Sequence, residues 1–339
     1  MSSMPRVTFV LSLHGGLVRG GLEIQAEATQ AALQARGWEV EVHQSLGRHL
    51  GEIVHFFGTF DGYWDVAKQC LERGVPYVCS PVFLPPVHGA ALRLRALRKR
   101  LTDRTSFRGQ RKLYRNAARL FTLTRAEVTN LHTFFGAALA PCVPVPNGVA
   151  SVFGTTTPDA FREAHPFTKP VVICTGRVTD RKNQLAVVRA CQDLTVEVVL
   201  LGPTDDAEYF ERCRRESAGN VHFLGVLPAN DPLLASAYAS AEVFCLPSRM
   251  EVLSLSALEA ACAGAKLVLS DTWGADEFFG DDAMYCSPDD VSGLRDAIHA
   301  QLSREVDRCA RRAHYVQRYA WEHVAELIDA QYRQVLANR

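Results

Sequence analysis

The chain has no excess of charge. Its 37 Lys and Arg residues are balanced by 37 Asp and Glu residues in 339 positions, so the overall composition favours neither nucleic acid nor a bulk membrane surface as partner. Any electrostatic function must be local. Long apolar runs are missing too: the stretch ending at Leu13 is a largely apolar run of about seven residues, too short for a signal-peptide core or a membrane span. A cytoplasmic protein is expected, at most touching the inner face of a membrane from outside. The ten cysteines include no C-x-x-C pair, and several, such as Cys174 and Cys245, sit inside apolar runs. Small buried thiols in a reducing compartment account for them, and no structural metal is expected. The dinucleotide spacing G-x-G-x-x-G is absent, as are internal repeats and low-complexity tails.

What is present centres on Leu246 to Asp271, LPSRMEVLSLSALEAACAGAKLVLSD. Apolar runs at Val243 to Leu246 and Leu267 to Leu269 bracket a helix-length segment, which makes a strand, loop, helix, strand unit of a parallel sheet. Ser254 suits the helix N-cap and Gly264 its end. The backbone donors of Val252, Leu253, Ser254 and Leu255 then sit at the positive end of a helix, with Glu251 on one side and Glu259 on the other. Such an end binds anions, and carboxylates accept from hydroxyls, so a phosphate flanked by two polyols fits. A nucleotide-sugar has that form. Taken by spacing alone, the two glutamates read equally well as ordinary surface acids.

In chain order, a strand from Val7 to Leu13 leads through Gly15, Gly16, Gly20 and Gly21 into a helix from about Leu22 to Arg36, then a strand from Val40. The glycines Gly20 and Gly21 are candidates for close approach to a diphosphate or to the acceptor. Strands and helices go on alternating, and Pro81, Pro85 and Pro86 mark an irregular loop that holds His88. From Arg93 to Arg115 ten basic residues face the single acid Asp103. Leu94, Leu97 and Leu101 recur there at helical spacing, giving a buried stripe under a basic face. Such a segment suits anionic lipid headgroups, a phosphorylated acceptor, or solvent alone. Pro146 to Pro158 reads as the end of the first domain.

The second domain opens with a strand at Val171 to Thr175, followed by Gly176, Arg177, Asp180, Arg181, Lys182 and Asn183. Arg177 and Lys182 at the carboxyl end of a strand point to an anion site. Further units at Val196, Val221 and Pro232 complete an α/β chain with doubly wound parallel sheets. From Val291 onward the chain reads as helical. Trp321, Val324, Leu327, Ile328, Tyr332 and Leu336 form the packing stripe of a last helix.

GRVTDRKNQ from Gly176, VHFLGVLP from Val221 and PSRMEVLSLSALEAACAGAKLVLSD from Pro247 resemble the retaining family 4 glycosyltransferases of GT-B fold. The VPVPNGV run ending at Val149 and the Gly20–Gly21 helix start look like the N-terminal half of that family. The resemblance implies two Rossmann-like domains facing a central cleft: residues 1–150 on the acceptor side, residues 151–320 binding the nucleotide-sugar, and a helix over 321–339 crossing back. It implies that Arg177 and Lys182 hold the donor diphosphate with Gly176 beside them, that Glu259 takes the ribose hydroxyls and that Glu251 takes the sugar hydroxyls. Gly21 would approach phosphate, and the backbone near Val226 would touch the base. Arg177, Lys182 and Glu251 are the catalytic candidates. The implied partners are a nucleotide-sugar donor and a carbohydrate or lipid-linked acceptor, with peripheral contact to anionic membrane through Arg93 to Arg115. No metal, cofactor or nucleic acid is expected. The sequence departs from the family at Ser80 to Phe83, where many relatives have a histidine, and at Val252 and Ser254, where glycines are common. An epimerase or a non-catalytic scaffold on the same fold are the alternatives.

Overall fold

The computed structural model describes residues 4–11, 20–43, 50–85, 87, 89–228, 231–251, 253–271 and 274–338; Gly15, Gly16, His88 and Val252 lie outside the described residues. The chain divides into two compact units, Met1–Gly148 with Trp321–Arg339, and Val149–Ala320.

The first unit runs β1 (Arg6–Val10), α1 (Gly21–Ala35), β2 (Glu39–Val42), β3 (Ile53–Phe57), α2 (Tyr63–Glu72) and β4 (Tyr77–Ser80). It continues through α3 (Gly89–Thr102), α4 (Arg104–Asn116), β5 (Arg119–Thr122), α5 (Arg125–Phe135) and β6 (Cys142–Pro144). The second unit begins with α6 (Val152–Thr155), α7 (Asp159–Ala164), β7 (Val171–Thr175), α8 (Gln184–Ala190), β8 (Glu197–Leu201) and α9 (Ala207–Glu216). Next come β9 (Val221–Gly225), α10 (Pro232–Ser240), β10 (Val243–Leu246), α11 (Leu255–Cys262) and β11 (Lys266–Ser270). It ends with α12 (Asp276–Phe279), β12 (Ala283–Cys286), α13 (Val291–Ser303) and α14 (Arg308–Tyr319), after which α15 (Trp321–Ala337) returns to the first unit.

Each unit is built on one six-stranded sheet, ordered β2-β1-β3-β4-β5-β6 in the first and β12-β11-β10-β7-β8-β9 in the second. Every strand pair is parallel. Helices cover the faces of such sheets, so the central strands β3, β4, β7, β10 and β11 are buried along their whole length and read as continuous apolar runs rather than alternating ones. The cysteines Cys174 and Cys245 sit in β7 and β10, buried and unbridged.

α15 is tied to the first sheet by buried polar contacts. His55 in β3 bonds Tyr332 Oη at 2.6 Å through Nδ1 and Ser80 Oγ at 2.8 Å through Nε2. Burial lowers its pKa to about 3, so the ring stays neutral and its two nitrogens share one proton between two hydroxyls. Trp38 Nε1 donates to Asp329 at 2.8 Å. Val324, Ile328 and Tyr332 fill the apolar core beneath, while Leu327, assigned above to the packing stripe, is 40 % exposed.

A second expectation is corrected in the basic segment. Arg93 to Arg115 forms two helices, α3 and α4, and Leu94, Leu97 and Leu101 are not buried: they are 68 %, 53 % and 68 % exposed. Leu92 and Ala96 carry the packing of α3 instead. Periodicity identified the stripe but not the side that meets the core. The Thr-rich stretch after residue 150 also holds two short helices, α6 and α7, and α9 follows β8.

Candidate functional site

In the second sheet the chain moves from β7 outward to β8 and β9, then returns to the other side of β7 as β10. The loops leaving β7 and β10 therefore start side by side where the strand order reverses, at the carboxyl ends of the strands, where ligands bind in doubly wound sheets. The Arg177–Lys182 loop and the Glu251 loop are those two segments.

Direct bonds hold them together. Arg249 N–H donates to Arg181 O at 2.8 Å, Arg181 Nη1 donates to Met250 O at 3.1 Å, and Asn183 Nδ2 donates to Pro247 O at 3.2 Å. Asn183 takes a left-handed conformation, φ +59°, which Asn tolerates better than most residues. Gln184 shapes the turn from inside: its Nε2 donates to the carbonyls of Gly176 and Arg177 at 3.3 and 3.0 Å. Gly176 has φ +131° and the Lys182 stem packs on it, where an added Cβ would lie 3.3 Å from Cε. Gly202, after β8, backs directly on the Gly176 carbonyl and leaves no room for a side chain.

The turn carries Lys182 to Glu251, and the two form an ion pair with only 12 % and 24 % of their side chains exposed. Arg177 pairs with Asp205, both more open to solvent. Next to this pair, Ser254 caps α11, its Oγ accepting from Ala257 N–H at 3.3 Å and sharing a 2.8 Å bond with Ser256 Oγ. The helix ends at Gly264, φ +85°, which packs against Arg312. As first residues of a helix, Ser254 and Leu255 have no carbonyl one turn earlier to receive their amides. A hollow of about 20 Å³, room for roughly one water, lies among Leu246, Glu251, Ser254, Ala257 and Phe279.

Glu259 sits one helical turn further in. Burial raises its pKa to about 7, and a hydrogen bond with Tyr238 opposes that rise. Tyr238 in turn bonds Thr175 Oγ1 at 2.8 Å, which links the carboxyl group to the end of β7.

Gly176, Arg177, Lys182, Glu251, Leu253, Ser254, Leu255 and Glu259 are thus gathered in the second unit around the β7 and β10 ends. Val226 directly follows β9 in the same unit, its side chain 60 % exposed. Val252 lies outside the described residues. Gly20 and Gly21 belong to the first unit. Gly20 caps α1, but its amide is already taken by Glu23 at 2.9 Å; nothing crowds Gly21.

The first sheet reverses its order at β1 and β3. A cleft of about 370 Å³ lies beyond the carboxyl ends of the neighbouring β3 and β4, lined by Thr59, Phe60, Phe83, Phe134, Arg95 and Lys99 among others. Val82 on its rim has φ +45°, a strained value for a β-branched residue, and such strain gathers at functional sites. Glu127, buried, holds the loop in place by accepting from Phe83 N–H and Leu123 N–H, each at 2.7 Å. Desolvation lifts its pKa to about 7 against the pull of those two bonds.

Reading the sequence missed Asp205, Gln184, Tyr238 and Glu127. Thr124-x-x-Glu127 does carry a capping-box spacing, and Thr124 Oγ1 accepts from Glu127 N–H at 2.8 Å. The glutamate itself reaches across to another loop, which no local pattern signals.

Residues 169–304 match the family model described as glycosyl transferases group 1. D-inositol 3-phosphate glycosyltransferase of Paenarthrobacter aurescens is 24 % identical, over 97 % of this chain and 92 % of its own length. Sucrose-phosphate synthase from Thermosynechococcus elongatus superposes with TM-score 0.77 at 19 % identity, covering 99 % of this chain and all of that one (100 %). Anabaena HepE in complex with UDP-glucose gives TM-score 0.73 at 15 % identity over 97 % of this chain and 100 % of its own. At these identities the two structures attest a shared fold.

Proposed function

We propose that the chain, which has the GT-B fold and matches the group 1 glycosyl transferases over residues 169–304, moves a sugar from a nucleotide-sugar donor to an acceptor with retention of anomeric configuration. The observation that carries this reading is the meeting of Lys182, Glu251 and the Ser254-capped end of α11 at the β7–β10 switch point. Arg177 stands on the same loop as Lys182. The UDP-glucose in the Anabaena structure supports the donor class.

In this scheme the donor diphosphate lies against the amides of Ser254 and Leu255, with Arg177 and Lys182 as its counter-charges. Glu259 accepts from the ribose hydroxyls, Glu251 from hydroxyls of the transferred sugar, and the backbone around Val226 meets the base. Positive charge grows on the sugar ring as its bond to phosphate breaks, so stabilising the departing diphosphate is the main task. The two cations and the helix end meet it, and the scheme uses no metal ion and no other cofactor. A donor phosphate oxygen takes the acceptor proton on the face the diphosphate leaves. The hollow beside Glu251 is too small for a diphosphate as it stands. Donor binding therefore draws Lys182 away from Glu251, freeing the ammonium for phosphate and the carboxylate for sugar hydroxyls.

The acceptor is a carbohydrate or a lipid-linked or surface-polysaccharide precursor. The cleft on the first domain supports it, with aromatic walls for an apolar part and Arg95 and Lys99 for an anionic one. The test is a thermal-shift screen of UDP, GDP and ADP sugars, followed by NMR of the anomeric product. One nucleotide should stabilise the protein by about 2.7 kcal/mol at a hundred times its dissociation constant. Absence of any shift, or an inverted product, would overturn the scheme.

A further inference from the structure

α3 turns its apolar face outward. Leu94, Leu97 and Leu101 are 68 %, 53 % and 68 % exposed, and nowhere else among the described residues do two exposed large apolar side chains fall within eight positions. At about 100° per residue the three leucines span roughly 60° of the helix, on the side opposite the buried Leu92 and Ala96. Arg93 and Arg98 flank that stripe, one on each side, about 40° from its edges. The remaining side, with Arg95 and Lys99, lines the cleft of the first domain. Ten cations lie between Arg93 and Arg115 with one acid, and that acid, Asp103, is paired with Lys99 at 3.6 Å.

An exposed apolar ridge bordered on both sides by guanidinium groups complements a surface that is apolar within and anionic at its boundary. We propose that α3 lies along an anionic lipid bilayer, with Leu94, Leu97 and Leu101 in the interfacial layer and Arg93 and Arg98 on headgroup phosphates. Among the described residues no helix is long and apolar enough to cross a membrane, so the contact is peripheral. Because the chain as a whole is neutral, attraction to anionic lipid is concentrated in this segment rather than spread over the surface. Docking in this way sets Arg95 and Lys99, and the cleft they line, at headgroup level. An acceptor carrying an anionic headgroup then enters from the bilayer; this last step rests on the glycosyl-transfer reading, whereas the docking does not.

The experiment is sedimentation of the full chain with vesicles of phosphatidylcholine alone and of phosphatidylcholine mixed with phosphatidylglycerol, without any nucleotide. The protein should sediment with the mixed vesicles and not with the neutral ones. Leu94→Ser/Leu97→Ser/Leu101→Ser should weaken binding at least roughly tenfold, as should Arg93→Gln/Arg98→Gln. Leu327→Ser, on an exposed site of another helix, should leave it unchanged. All these positions are on the surface, and an unaltered melting temperature confirms folding. Equal binding by the wild type and the leucine variant, or no binding to either vesicle, overturns the proposal. So does a concentration-dependent dimer that the leucine variant abolishes, since the ridge would then join two copies of the chain. Nucleoside-diphosphate binding measured on the same samples separates a failure of docking from a failure of the transferase reading.

Discussion

Lys182→Ala is expected to do two separable things. Lys182 and Glu251 form an ion pair with 12 % and 24 % of their side chains exposed. Exposed pairs contribute about 0–1 kcal/mol, and breaking a buried one costs about 3–5 kcal/mol because a charge is left unpaired. This pair lies between those limits, so the variant should lose about 2 kcal/mol of stability. For a domain of this size that is a fall of roughly 4–8 °C in melting temperature. The second effect is on ligand. Losing one charge-assisted hydrogen bond to phosphate costs about 1.5–3 kcal/mol, which weakens nucleoside-diphosphate binding roughly 10- to 150-fold.

A double-variant cycle read by calorimetric titration and thermal denaturation separates the two. Lys182→Ala/Glu251→Gln removes the stranded carboxylate and should recover much of the lost stability. It should not recover diphosphate affinity, because the ammonium is still missing. The ligand is a nucleoside diphosphate without sugar, so the role of Glu251 toward sugar hydroxyls does not enter. If Lys182→Ala binds within twofold of wild type, Lys182 does not touch the diphosphate. If the double variant regains affinity, Lys182 acts only as a structural partner of Glu251.

Two further outcomes follow from other parts of the fold. Gly202→Ala sets a Cβ on the Gly176 carbonyl and 3.2 Å from Arg177 N, at φ +149°. Denaturant unfolding should show a loss of roughly 2–5 kcal/mol; Gly219→Ala, with open space around it, should be near neutral, and equal effects would refute the packing argument. Glu127 and Glu259 both have their pKa raised to about 7 from an ordinary 4.5 by desolvation. A raised acid holds its proton in the folded state while the unfolded chain has released it, so its contribution is full below about pH 4.5 and is lost as pH rises through about 7. Urea midpoints at pH 5 and pH 8 should therefore show Glu127→Gln with a smaller loss on going to pH 8 than wild type, by on the order of 3 kcal/mol. An unchanged pH difference would mean that Glu127 titrates normally.

The alternation of apolar runs with helix-length segments was sufficient for the fold class, because parallel sheets bury their central strands on both faces and leave a continuous apolar signal. The Val243 to Leu246 run and the Pro232 to Ser240 helix coincide with β10 and α10. Capping chemistry is equally local: the Ser254 hydroxyl caps the start of α11, and Gly264, with no side chain to oppose a positive φ, follows its end. Tyr238 under Glu259, Asp205 beside Arg177 and Gln184 inside its own loop are different. Their roles depend on which loops the topology brings side by side, and no spacing within one segment records that.

The leucines of α3 show where pattern and physics separate. A periodic apolar stripe ordinarily implies a buried face, because burial of each leucine is favourable by about 1.5–3 kcal/mol. On α3 the first domain has room for only one buried side, and Leu92 and Ala96 already fill it against the core. The other three leucines remain outside on the same helix, so the chain keeps an apolar face that its own fold does not cover. Basic residues on both flanks make that face a poor candidate for further packing within the domain, since burying it would also strip water from Arg93 and Arg98. A surface that offers phosphate to the cations and hydrocarbon to the leucines satisfies both at once. The same segment that misled the periodicity argument is therefore the part of the first domain on which the proposed bilayer docking rests.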